Sequence, residues 1–177
     1  MQTDLLHLYR RASEWCGDKV PGATALDAPT SCDGWTVRDL LNHMLETQQY
    51  FAGSARGEDV SPPGPTPPKL LSEDPVGDFA SARADVLQAF GQEGALEKTG
   101  PALGIAFSDQ LLHGWDLARA TGQDTTMPDG LPEAAYRAIH GLFTEERRHG
   151  VFKPELPVRD DATAQERLLA YTGRSPA

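Results

Sequence analysis

Ser108-Asp109-Gln110-Leu111-Leu112-His113-Gly114-Trp115-Asp116 is the stretch on which the reading of the chain turns. At 3.6 residues per turn, Asp109, His113 and Asp116 share one narrow stripe of a helix predicted to run from Ile105 to Thr121. Ile105, Ala106, Leu112, Leu117 and Ala120 flank the stripe, and Phe107, Leu111 and Ala118 make the opposite face apolar as well. The helix is therefore expected to be buried on most sides, with two carboxylates and an imidazole inside. Buried charge is costly unless it is paired or bound to a metal, so the stripe calls for a partner elsewhere in the chain.

The best candidate lies upstream. Thr36 is placed to N-cap a helix from Val37 to Arg56, with Asp39 completing an approximate capping box. Val37, Leu40, Leu41, Met44, Leu45, Phe51 and Ala55 form its apolar face, and His43 stands at the edge of that face beside Leu40, Thr47 and Tyr50. A histidine so placed is more often a satisfied core residue than a ligand, but the Asp109/His113 stripe needs company, which makes His43 the candidate third ligand. Asp39 and Glu46, one turn to either side, join the site or face solvent, and solvent is the plainer expectation.

The remaining segments follow from periodicity and punctuation. Leu5, Leu6, Tyr9, Ala12 and Trp15 recur at helical steps and predict a helix from Thr3 to Cys16, with His7 off its apolar stripe and at the surface. The run SPPGPTPP from Ser61 to Pro68 excludes helix and favours an extended crossover. A third helix, Asp74 to Phe90, turns Val76, Phe79, Ala80, Arg83, Val86, Leu87 and Phe90 inward, and Gly91 to Gly104 reads as a loop. After the Thr121-Gly122 stop, a fifth helix is expected from Leu131 to Arg148, opened by Pro132. Its His140 and the following His149 point in different directions, so they do not make a joint site. Lys153 to Val158 is extended, and a last helix from Ala162 to Tyr171 is capped by Asp160 or Asp161.

Composition narrows the classes. The 177 residues carry 16 Lys and Arg against 26 Asp and Glu, a formal charge of -10, which repels phosphate backbones and anionic membrane surfaces. No nucleic-acid partner is expected. The N-terminal residues lack a basic segment followed by an apolar run, and no stretch approaches the roughly 20 apolar residues of a membrane span, so a cytoplasmic location is expected. Cys16 and Cys32 form no CxxC pair and read as reduced thiols. A chain of this length can bury its own core, and residues 1–177 are expected to form a single helical domain.

Three strings carry a likeness beyond physics: CDGWTVRDLLNHM from Cys32 to Met44, DQLLHGWDLARATGQD from Asp109 to Asp124, and LLAYTGRSP from Leu168 to Pro176. Together they resemble the small metal-binding proteins related to the N-terminal domain of mycothiol-dependent maleylpyruvate isomerase, within the DinB/YfiT-like superfamily. The resemblance implies an all-α, up-down-down-up four-helix bundle with additional C-terminal helices. It also implies a divalent metal, usually zinc or nickel, held by one His of the second helix and two residues four apart on the fourth. By that pattern the ligands are His43, Asp109 and His113. The isomerase carries Glu where Asp109 stands, and the residues after Thr121 read as helix and loop rather than as its C-terminal domain.

The residue types reach the same chemistry. Two imidazoles and one carboxylate suit zinc first, then nickel or iron(II), and three protein ligands leave a position open. There a water would be acidified toward a pKa of about 7, or a small thiol would ligate as its thiolate. Asp116 is cast as accepting a hydrogen bond from a ligand or bound water, with a salt bridge to Arg119 as the equal alternative. Trp35 and Trp115 wall the pocket or simply pack in the core. The leading expectation is a metal-dependent transferase or isomerase that activates a small thiol, mycothiol by family resemblance, for attack on an electrophilic small molecule. A metal-dependent hydrolase using bound hydroxide and a non-catalytic metal- or ligand-binding bundle are the alternatives, and a buried Asp109/His113 ion pair without metal is the plain one. Oligomeric state is left open, a homodimer included.

Overall fold

The computed structural model describes residues 2–144 and 152–176, with side chains from residue 5 onward. The described residues form α1 (Gln2–Gly17), a 3-10 turn (Val20–Gly22), α2 (Val37–Arg56), α3 (Pro75–Phe90), α4 (Ala95–Lys98), α5 (Ala102–Ala120), α6 (Leu131–Ile139) and α7 (Ala164–Tyr171). Among them there is no strand, only an isolated bridge between Pro29 and Thr36. No described helix is long and apolar enough to cross a membrane.

Four helices make the bundle. α1 packs on α5 and α3, and α2 packs on α3 and α5, so the four close into a ring, while α6 covers α5 and α7 covers α6. α5 runs through both halves of the core. Its Leu103, Phe107, Leu111 and Trp115 join Tyr9, Phe51, Val86 and Phe90 in one cluster, and its Leu117 joins Val37, Leu40, Met44 and Phe79 in the other. Gly114 sets the α1–α5 approach, because a Cβ there would sit 2.7 Å from the Trp15 ring and 3.2 Å from Cys16 Cβ.

α2 keeps its expected limits for local reasons. Thr36 accepts from the Asp39 amide while the Asp39 carboxylate accepts from the Thr36 amide, and Gly57, with φ of 77°, turns the chain out of the helix. The proline run then crosses back extended, and Asn42 Oδ1 pins its far end by accepting from the Leu70 and Leu71 amides at 2.7 and 2.8 Å.

Other limits are corrected. α5 begins at Ala102 rather than Ile105, and the expected loop from Gly91 to Gly104 contains α4. Gly104 lies inside α5, buried against α6, with Ala138 Cβ 3.4 Å from where a Cβ would lie. α6 stops at Ile139, two residues before the left-handed Gly141 with φ of 79°, and the rest of the expected helix from 145 to Arg148 lies outside the described residues. α7 starts at Ala164 and is capped by Thr163 in a capping box with Glu166, not by Asp160 or Asp161. Val76, expected inside, is 46% exposed.

Candidate metal centre

α5 presents Asp109, His113 and Asp116 on one face, and the structure brings both carboxylates against the His113 ring. His113 Nε2 lies 3.4 Å from Asp109 Oδ1, and His113 Nδ1 lies 3.0 Å from Asp116 Oδ2. The imidazole thus stands between two carboxylates. α2 supplies the facing wall. His43 places its ring edge-on to His113 with centroids 4.9 Å apart, and Thr47 Oγ1 donates to Asp109 Oδ2 at 3.0 Å. Trp35 also packs on His43, with ring centroids 4.7 Å apart.

Two groups of donors here are close enough to hold an ion: His43, Asp109 and His113, and Cys32, His113 and Asp116, each with its candidate atoms within 4.8 Å of one another. Their chemistry separates them. Asp116 Oδ1 accepts from Ser31 Oγ and Arg174 Nε, both at 2.9 Å, while Oδ2 meets an Arg174 terminal nitrogen at 2.8 Å and His113 Nδ1, with Cys32 Sγ at 3.6 Å. Its lone pairs are used, and a guanidinium already occupies the place a cation would take. No guanidinium intervenes in the first group, where one Asp109 oxygen is held by Thr47 and the other faces His113 with acceptor capacity to spare. That donor set fits a divalent ion.

Electrostatics agrees with this division. Burial alone would raise the Asp116 pKa, but Arg174 and His113 outweigh it and hold the carboxyl far below its usual range. Burial would lower that of His113, but Asp109, with hydrogen bonds to Asp109, Asp116 and Cys32, raises it well above the ordinary histidine value. His43 goes the other way: burial, then the neighbouring His113, lowers it to about 4. With Nδ1 paired to Asp116, the charged ring turns Nε2–H toward Asp109, and a bound cation would take the place of that second proton.

Ser31, Cys32, Trp35, Trp115 and the cluster itself line a cavity of about 820 Å³. Both tryptophans therefore wall the pocket as well as pack. Asp39, half-buried, serves the α2 cap, but Glu46 is not the solvent-facing residue expected: its Oε2 is buried 3.8 Å from His43 Nδ1. The cation that meets Asp116 is Arg174, whereas Arg119 lies over the Trp115 ring at 5.1 Å and donates to the Ser175 carbonyl. His7 is exposed, His140 packs between Tyr136 and Tyr171, and His149 lies outside the described residues. Cys16 and Cys32 are both free thiols. Sequence alone names Thr47 only as a neighbour of His43 and offers Arg119 as the cation for Asp116; neither Ser31 nor Arg174 carries a local signal for the site.

Residues 7–118 match the family described as the mycothiol maleylpyruvate isomerase N-terminal domain. The chain belongs to that family. This makes the bundle a DinB-like domain, and the matched span takes in His43, Asp109, His113 and Asp116 but stops short of Arg174. Two curated proteins of Mycobacterium tuberculosis, from different strains and both described as uncharacterized, are 28% identical to it over 166 residues, covering 86% of this chain and 87% of theirs. No solved structure gives a significant match.

Proposed function

We propose that His43, Asp109 and His113 hold a divalent ion, zinc in the first instance, and that the site transfers a small thiol of the mycothiol type to an electrophilic small molecule, as a transferase or isomerase. The observation that carries this reading is the convergence of three donors within 4.8 Å on a large cavity, beside a second acid already neutralised by arginine. Bound there, the ion would supply Lewis acidity, lowering the pKa of a thiol so that the reactive thiolate is present at neutral pH.

The chain's own residues do the rest. Asp116, held by Arg174, keeps the His113 ring in one tautomer and orientation, and Thr47 holds one oxygen of Asp109 so that the other faces His113. Trp35, Tyr50, Phe51, Ile105 and Phe152 give the cavity apolar walls that exclude water from a reacting thiol and leave room for a second substrate. The size of this cavity is what sets the reading apart from a closed, purely structural ion site.

Elemental analysis of tag-free protein, purified without chelators, tests the ion. About one zinc, nickel or iron per chain is expected in the wild type, with loss in His43→Ala and in His113→Ala; a wild type that takes up none of these ions on incubation overturns the proposal. Turnover of an electrophile with and without added thiol then separates transfer from hydrolysis, since a hydrolase would work without the thiol.

A further inference from the structure

We infer that Glu46 is the positioning residue of His43: its carboxylate accepts the Nδ1 proton, so that Nε2 carries the lone pair offered to the ion. This rests on the ion-binding reading above. The geometry is a pair of orphans facing one another. His43 Nδ1 and Glu46 Oε2 are both buried, neither has a hydrogen-bond partner, and they stand 3.8 Å apart, one turn from each other on α2. Two unmet polar atoms sealed from water are costly separately and satisfied together by a small rotation of either side chain or by one bridging water. A ring proton accepted by a carboxylate also makes the other ring nitrogen a stronger donor to a metal.

Two further contacts tie this pair to the proline crossover. The Gly64 amide donates to the Glu46 carboxylate, opposing the rise in pKa that burial causes, and Trp35 Nε1 donates to the Pro65 carbonyl at 3.2 Å. Trp35 and Glu46 both lie beside the His43 ring, so residues that fasten the crossover next to the cavity also orient the ligand. Glu46 is thereby held in place from outside α2, as a positioning group must be if it is to fix one rotamer of its partner.

The test uses the full chain in two states. In EDTA-stripped protein at neutral pH, long-range proton–nitrogen NMR reads the tautomer of His43, expected to be Nδ1–H in the wild type and in Glu46→Gln, whose amide oxygen still accepts, and to move toward Nε2–H in Glu46→Ala. Zinc affinity by chelator competition is expected to fall about 10- to 100-fold in Glu46→Ala and by clearly less in Glu46→Gln. A wild-type His43 already in the Nε2–H form overturns the inference, as does a Glu46→Ala protein that binds zinc within about twofold of the wild type, a change too small for the loss of such a partner. Should Glu46→Ala not fold, the wild-type tautomer and Glu46→Gln still decide. A wild type that takes no zinc would defeat the proposed function, while the metal-free tautomer would still judge Glu46.

Discussion

Arg174→Met, studied in EDTA-treated protein, removes the guanidinium that forks onto Asp116 and keeps most of the apolar stem. The Asp116 side chain is 1% exposed and that of Arg174 13%, so the pair is out of water and the variant leaves the carboxylate with His113, Ser31 and Cys32 alone. Breaking a buried pair by removing one partner costs about 3–5 kcal/mol. For a chain of this length each kcal/mol lowers Tm by about 2–4 °C, so a fall of about 6–20 °C is expected by circular dichroism. The pH dependence tells a broken charge pair from lost packing. In the wild type the Asp116 pKa is depressed, so its contribution is present above the ordinary carboxylate pKa of about 4 and is lost as the pH falls toward the folded value. With Arg174 gone, burial is less opposed and the folded pKa rises, so acid relieves the unpaired charge and the stability gap between variant and wild type narrows. Adding Asp116→Asn completes a double-mutant cycle, and the double variant should lose less than the sum of the singles. A loss under about 1 kcal/mol, well short of what a buried pair costs, or a gap that ignores pH, would refute a buried, desolvated pair.

Gly114→Val should destabilise by about 1–3 kcal/mol, because its side chain enters the space held by the Trp15 ring and Cys16; a neutral effect in urea denaturation would mean that α1 and α5 do not meet so closely. In metal-free protein, NMR titration should find His43 taking its proton near about 4, with His113 still charged at neutral pH. An unfolded histidine protonates near about 6.5, so the His43 contribution to stability is full above that pH and lost as the pH drops through this window toward about 4. Two rings titrating together near 6.5 would contradict the burial and charge order drawn for the pair.

What could be read from sequence was what local chemistry decides. The Asp109, His113, Asp116 stripe follows from helical spacing alone, and α2 from Val37 to Arg56 is bounded by a capping box and a left-handed glycine that announce themselves in the chain. The start of α5 is hidden because Pro101 and Gly104 read as loop residues, whereas Pro101 stands at the N-cap and Gly104 is buried within the helix against α6. The end of α6 turned on Gly141, a single left-handed residue inside an otherwise periodic run. Arg174 and Asp116 are 58 residues apart, and no local pattern links them; only the cost of an unpaired buried acid pointed to a missing cation. The partial burial of Glu46 is equally non-local, since the Gly64 amide that reaches it belongs to the crossover.

The two acids of α5 have been given different work by what packs against them. For an ion to choose Asp116, Arg174 would have to leave a fork with both carboxylate oxygens and remain buried without a partner, which costs more than most single contacts return. Asp109 asks for no such displacement: one oxygen is held by a neutral threonine and the other faces His113. His113 joins the two, giving one nitrogen to the framework and the other to the open side. Stability and ion affinity should therefore separate by residue. Changes at Arg174 act first on the fold and reach the ion only through the orientation of His113, whereas changes at His43 remove a ligand from a framework that Asp116 and Arg174 still hold. A His43→Ala protein that loses its ion yet keeps its metal-free melting temperature within a few degrees, while Arg174→Met does the reverse, is the pattern this arrangement requires.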